Sequence, residues 1–143
     1  MVYEGIIRTA KDIISTFETK DPFKISQLLD IPIIYREYSE GVKGYCIKIH
    51  NKVHIIINSR FDRRAQNIIC AHELGHALLH TENLTPVFTA AFKENSNSIL
   101  EYEANLFAAI MLLDEQELNV KFSEMSNYVL MGIFNENLRI NEK

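Results

Sequence analysis

Ala71-His72-Glu73-Leu74-Gly75-His76-Ala77-Leu78-Leu79-His80 sets two histidines four residues apart in a mostly apolar run that begins at Ile68. At 3.6 residues per turn, positions i and i+4 share one face of a helix, so the rings of His72 and His76 come within reach of one metal ion. Neutral imidazoles bind Zn²⁺ at about 2.0–2.1 Å. Glu73, offset by about 100° from His72, flanks such an ion rather than binding it. From there it can take a proton from a water whose pKa the metal lowers towards about 7. A lone histidine is most often an ordinary surface or core residue. Here Ile68, Ile69, Cys70, Ala71, Leu74, Ala77, Leu78 and Leu79 make the helix strongly apolar. Two histidines and a glutamate on it would be costly to bury without partners, and a metal supplies one.

A catalytic zinc keeps three protein ligands and one open position. His80 continues the four-residue series but lies about 12 Å along the axis from His72, too far to share its ion. It is expected at the surface or behind a ligand. An extended motif with a third histidine needs Gly at 79 and His at 82, where this chain has Leu79 and Glu82. The third ligand is sought instead in Glu101-Tyr102-Glu103-Ala104-Asn105-Leu106-Phe107-Ala108. Glu101 and Asn105 share a helix face. Glu101 can offer a carboxylate to the metal, and Asn105 can accept a hydrogen bond from the other ring nitrogen of a ligating histidine, best His72. Glu103, rotated about 200° from Glu101, is expected to face solvent. Ala104, Ala108 and Ala109 would allow close approach of the two helices.

Outward from these motifs, Ile6, Ile7, Ala10, Ile13, Ile14 and Phe17 predict a helix over 3–18. Asp21-Pro22 opens a short helix over about 22–30, with Ile25, Leu28 and Leu29 inward. Three strands follow: 32–36, 45–49 and 53–57. They are expected to form a small antiparallel meander, with a tight turn at Asn51-Lys52. The histidine helix should span about 60–80, with Ser59 as cap and Asp62 in its first turn. A loop over 81–96, a helix from 96 or 98 to about 113, a turn capped by Asp114 and an amphipathic helix over about 123–139 complete the chain. In the loop, Phe88 and Phe92 are expected to anchor it to the core. The fold class is therefore α+β, a small antiparallel sheet packed with helices.

The chain's 143 residues match one domain, and 47% hydrophobic with 24% charged residues excludes a disordered or fibrous protein. The net charge of −4 and scattered basic residues argue against a direct nucleic-acid partner. No run approaches the roughly 20 apolar residues of a membrane span, and no secretory signal is expected at the N-terminus. Cys46 and Cys70 are expected to be reduced and buried, consistent with a cytoplasmic location.

The run 71–80 followed by 101–108 resembles the ImmA/IrrE family of metallo-endopeptidases, over about residues 1–114. The resemblance implies a zincin-like metallopeptidase domain over 1–114, related to a minimal gluzincin core, with 115–143 as a C-terminal helical extension. It implies His72, His76 and Glu101 as ligands of Zn²⁺ and Glu73 as catalytic base. It further implies a protein substrate, such as the repressor of a prophage or mobile element. Fe²⁺, Mn²⁺ and Co²⁺ are alternatives to zinc. Where the family often closes its second motif with Leu-Leu-Met-Pro, this chain has Ile110-Met111-Leu112-Leu113-Asp114. Tyr102 and His54 are candidates to stabilise the oxyanion. An extended substrate could add to an edge of the sheet. The rival function is a metal-containing binding protein that sequesters a transcriptional regulator without cutting it. The presence of Glu73 beside the ligands favours the enzyme, since a structural site has no need of a base.

Overall fold

The computed structural model describes residues 2–39, 41–81 and 98–138. Phe88 and Phe92 lie outside the described residues. The chain opens with helix α1 (Val2–Phe17) and helix α2 (Pro22–Leu28). Asp21 caps α2 by accepting from the Phe23 amide at 2.9 Å, and Pro22 occupies the first turn, where its missing N–H costs nothing. Ile25 is fully buried, but Leu28, expected inward, is exposed.

Strands β1 (Ile33–Arg36), β2 (Gly44–Ile49) and β3 (Lys52–Asn58) form one sheet in the order β1-β3-β2. β2 and β3 are the expected antiparallel hairpin. Its turn is His50-Asn51, one residue earlier than expected, and both residues have positive φ, as a two-residue hairpin turn with the right twist requires. The expected meander is corrected at β1, which lies beside β3 and runs parallel to it, pairing Ile33 with Ile55 and Arg36 with Asn58. Buried Asn58 supports this arrangement. Its Oδ1 accepts from the Tyr38 amide at 3.2 Å and its Nδ2 donates to the Val42 carbonyl at 2.6 Å, which ties the β1–β2 connection across the end of β3.

The sheet is apolar on both faces around β2. Cys46, Ile55 and Ile57 belong to the main core, while Tyr45, Ile47 and Ile56 form a smaller cluster with Ile34, Tyr38 and Val42. Alternation along β2 therefore separates two apolar clusters rather than core from solvent. Gly44 is needed where β2 meets its neighbours: a Cβ there would sit 2.6 Å from the Ile56 carbonyl oxygen and 2.7 Å from Ile69 Cγ2.

Helix α3 (Arg63–Leu79) is capped by Asp62, whose carboxylate accepts from the Ala65 amide at 2.8 Å. This replaces the expected cap, Ser59, and starts the helix three residues later. Helix α4 (Ser98–Leu112) is buried around its circumference at Leu106, Phe107, Ala108, Ala109, Ile110 and Met111, as a helix apolar on all sides must be. It packs against α1 and α3. At the α3–α4 crossing, a Cβ on Gly75 would meet Phe107 Cβ at 3.1 Å and Ala104 Cα at 3.2 Å. Gly75 and Ala104 are what let these two helices close.

Beyond Asp114, which caps the short helix α5 (Glu115–Leu118), the expected helix over 123–139 divides. A 3₁₀ turn at Phe122–Glu124 precedes helix α6 (Asn127–Asn135), with Ser126 as its cap. Phe122, Met125, Leu130 and Phe134 join the same core as Leu74 and Phe107, whereas Tyr128 is largely exposed. Cys46 and Cys70 are free and buried, as expected. Among the described residues no helix is long and apolar enough to cross a membrane.

Candidate metal centre

α3 carries His72 and His76 on the face it turns towards the start of α4, where Glu101 sits. His76 Nε2 lies 3.2 Å from His72 Nε2 and 2.6 Å from Glu101 Oε2, and His72 Nε2 lies 3.4 Å from that same oxygen. These three residues form a group able to hold a metal ion. All three side chains are partly buried.

The hydrogen bonds behind the rings decide which atoms face the centre. His72 Nδ1 lies 2.8 Å from Asn105 Oδ1, and Asn105 Nδ2 donates to Asn127 Oδ1 at 2.8 Å. With its amide oxygen towards the ring, Asn105 accepts from His72 Nδ1–H, which leaves the lone pair of the neutral ring on Nε2. His76 Nδ1 lies 2.9 Å from His80 Nδ1, and His80 Nε2 lies 2.7 Å from Glu103 Oε1. Neutral rings in this arrangement turn two imidazole lone pairs and a carboxylate oxygen on one another at contact distance. Three acceptors do not attract without a positive charge among them.

The donor set suits zinc: a tetrahedral ion with bonds of about 2.0–2.1 Å sets its donors about 3.3 Å apart. Two of the three separations are near that value, and the 2.6 Å pair must open to admit an ion. The electrostatics favour positive charge in the same place. Burial pushes the His72 imidazolium towards losing its proton, but the hydrogen bond to Glu101 and the charge of Glu73 outweigh it and raise its pKa. Burial would likewise raise Glu101, yet its contacts with His72 and His76 hold it well below the usual carboxylate range. His80 goes the other way: burial outweighs the pull of Glu103 and lowers its pKa, which favours the neutral ring.

Glu73 is buried between α3 and the sheet. The Cys46 thiol on β2 lies 3.0 Å from its backbone carbonyl and 3.5 Å from its Oε1. β2 is an outer strand of the sheet, but its residues 44–47, which include the contact with Glu73, are buried. Burial raises the Cys46 thiol well above its ordinary pKa, with the charge of Glu73 adding to it, so the thiol stays protonated as a donor.

The structure brings together His72, His76, Glu101 and Asn105 in the contacts that the helix spacing anticipated. One residue stands elsewhere than expected, and one of two alternatives for another is settled. Glu103 does not face solvent; it lies against His80 with little of its side chain exposed. His80 is buried, which excludes the surface alternative. The two oxyanion candidates are engaged in other contacts: the Tyr102 hydroxyl donates to the Met125 carbonyl at 3.3 Å, and His54 Nδ1 lies 2.9 Å from the Lys52 carbonyl. Asn127 was missed altogether, since nothing in the local pattern of 122–135 links it to a residue 22 positions earlier.

An α+β fold with a His-His-Glu cluster able to hold a metal ion on two packed helices is consistent with the zincin-like core of a metallopeptidase. The chain belongs to the IrrE N-terminal-like domain family, Peptidase M78, whose family model matches residues 27–134. It is also 28% identical, over 135 residues, to the "Uncharacterized immunity region protein 2" of Bacillus phage phi105, an alignment covering 92% of this chain and 85% of that protein. No solved structure gives a significant match.

Proposed function

We propose that the chain is a zinc-dependent endopeptidase that makes a site-specific cut in a regulatory protein, of the class of repressors carried by phages and mobile elements. One observation carries this reading: three donor atoms, one from each of His72, His76 and Glu101, converge within 4.8 Å of one another, next to a helix residue, Glu73, of the type and offset a general base requires. His72, His76 and Glu101 would hold the ion. Zinc, when bound, polarises a carbonyl and lowers the pKa of water to about 7. Glu73 would accept the proton of the attacking water and pass it to the leaving amine. Asn105 would keep the His72 ring turned towards the ion.

The repressor class of substrate is supported by the immunity-region relative. The net charge of −4 fits a protein partner rather than nucleic acid, and a repressor substrate places the reaction in the cytoplasm, away from any membrane. Residues 1–114 would form the catalytic domain, and 115–143 its helical extension, joined through Phe122, Met125, Leu130 and Phe134.

Zinc-loaded protein and its Glu73→Gln variant, incubated with a co-encoded repressor and followed by mass spectrometry, test the reading. The wild type is expected to generate a single new terminus, and the variant to be at least about 100-fold slower while keeping its metal. A zinc-loaded wild type that binds the repressor without cutting it would favour sequestration instead.

A further inference from the structure

His80 is too far along the helix axis to share an ion with His72, yet it is buried and fully engaged. It caps the C-terminus of α3, with φ −126° and ψ 33°, and its own amide donates to the His76 carbonyl at 2.8 Å. Its ring bridges His76 and Glu103, with 2.9 Å from Nδ1 to His76 Nδ1 and 2.7 Å from Nε2 to Glu103 Oε1. Only 4% of the His80 side chain and 14% of the Glu103 side chain are exposed, so neither is a solvated surface group. Burying an imidazole and a carboxylate is costly unless their hydrogen bonds are met.

With a neutral His80 ring, those bonds are met in one way. A carboxylate accepts and does not donate, so Glu103 takes the proton of His80 Nε2–H. The neutral His80 ring then offers a lone pair at Nδ1. Across 2.9 Å that lone pair must receive His76 Nδ1–H, because two N–H groups facing each other would repel. His76 is thereby left with its lone pair on Nε2, the atom that faces His72 and Glu101. The order Glu103, His80, His76 thus selects the tautomer of His76 and its ring direction together.

We propose that His80 and Glu103 are positioning residues of the metal centre, acting through His76 to present its Nε2 to the ion. The inference rests on the zinc reading above and extends it to two residues that touch neither ion nor substrate. Partners of this kind behind a ligating histidine commonly contribute 10–100-fold in metal affinity.

The test is zinc affinity, measured by competition with a chromophoric chelator, for wild type, His80→Phe, His80→Asn and Glu103→Leu. It is paired with ¹⁵N NMR of the imidazoles in the zinc-loaded proteins. Phe fills the space without an acceptor. Asn places an amide oxygen near the position of Nδ1. His80→Phe is expected to weaken zinc about 10–100-fold, and His80→Asn to recover most of that loss. The NMR spectrum of the wild type should show the proton of His76 on Nδ1. Wild-type affinity in His80→Phe, or equal loss in the Phe and Asn variants, would overturn the proposal. Thermal unfolding of the metal-free variants checks folding. Should His80→Phe fail to fold, Glu103→Leu decides: unchanged affinity with an unchanged His76 signal overturns the relay. A wild type that binds no zinc overturns both this inference and the zinc reading, whereas zinc binding indifferent to residues 80 and 103 overturns the relay alone.

Discussion

The two imidazoles of the candidate centre face each other across 3.2 Å and are held from behind by unlike chemistry. His72 leans on a neutral amide, Asn105, which in turn leans on Asn127 of α6. His76 leans on a second imidazole, His80, which ends on the carboxylate of Glu103. The first support is uncharged and reaches from the α3–α4 pair into the C-terminal segment. The second ends in a negative charge and stays within α3, its cap and α4. The difference divides two tasks. The carboxylate end of one chain favours positive charge at the centre, while the amide end of the other couples its geometry to the packing of residues 122–135.

Both supports cross the α3–α4 interface, so spreading that interface should break them together. Gly75→Leu would push a side chain into Phe107 and Ala104, where even a Cβ finds neighbours at 3.1–3.3 Å. Overpacking of this kind costs about 1–3 kcal/mol. Denaturant unfolding should show that loss, with zinc no longer bound stoichiometrically. A variant of normal stability with normal zinc would mean that the interface does not position the ligands.

The next effect separates the supports. Asn105→Leu removes the acceptor behind His72 and should weaken zinc about 10–100-fold. Asn105→Asp keeps an acceptor and should bind far better than the Leu variant in the same competition assay. Equal affinities for the two would show that Asn105 serves packing rather than ring orientation.

The smallest effect lies one bond further back. Asn127→Ala leaves Asn105 Oδ1 in place and removes only the partner of its Nδ2. Stability should fall by about 0.5–1.5 kcal/mol, the usual net worth of such a bond, with zinc affinity nearly unchanged. A loss of zinc as large as in Asn105→Leu would make α6 part of the centre itself.

What could be read from the residue order was what depends on local periodicity. The four-residue spacing of 72 and 76, and of 101 and 105, anticipated that His72, His76, Glu101 and Asn105 lie together, because both pairs lie within regular helix. The α+β class was legible for the same reason. Glu103 was misjudged because helix-face arithmetic treats α3 as a continuous rod. His80 leaves that rod at the cap, and its ring reaches a glutamate assigned to another face. The parallel pairing of β1 with β3 was hidden because a meander and the observed order share the same strand directions; the contacts that distinguish them join residues about 20 positions apart, such as the Ile55 amide with the Pro32 carbonyl and the Tyr38 amide with Asn58. Asp62 outcompeted Ser59 as helix cap through its bond to the Ala65 amide, and the two residues are too close in the chain for propensity to separate.

The central claim is that His72, His76 and Glu101 form one zinc site with Glu73 beside it. Elemental analysis of purified protein tests it most directly, with wild type beside His72→Ala, Glu101→Ala and Glu73→Gln after reconstitution with zinc. About one zinc per chain is expected for a site with three protein ligands, retained in Glu73→Gln and lost or strongly reduced in the other two. Absence of zinc from the reconstituted wild type, or its full retention in His72→Ala and Glu101→Ala, would contradict the account.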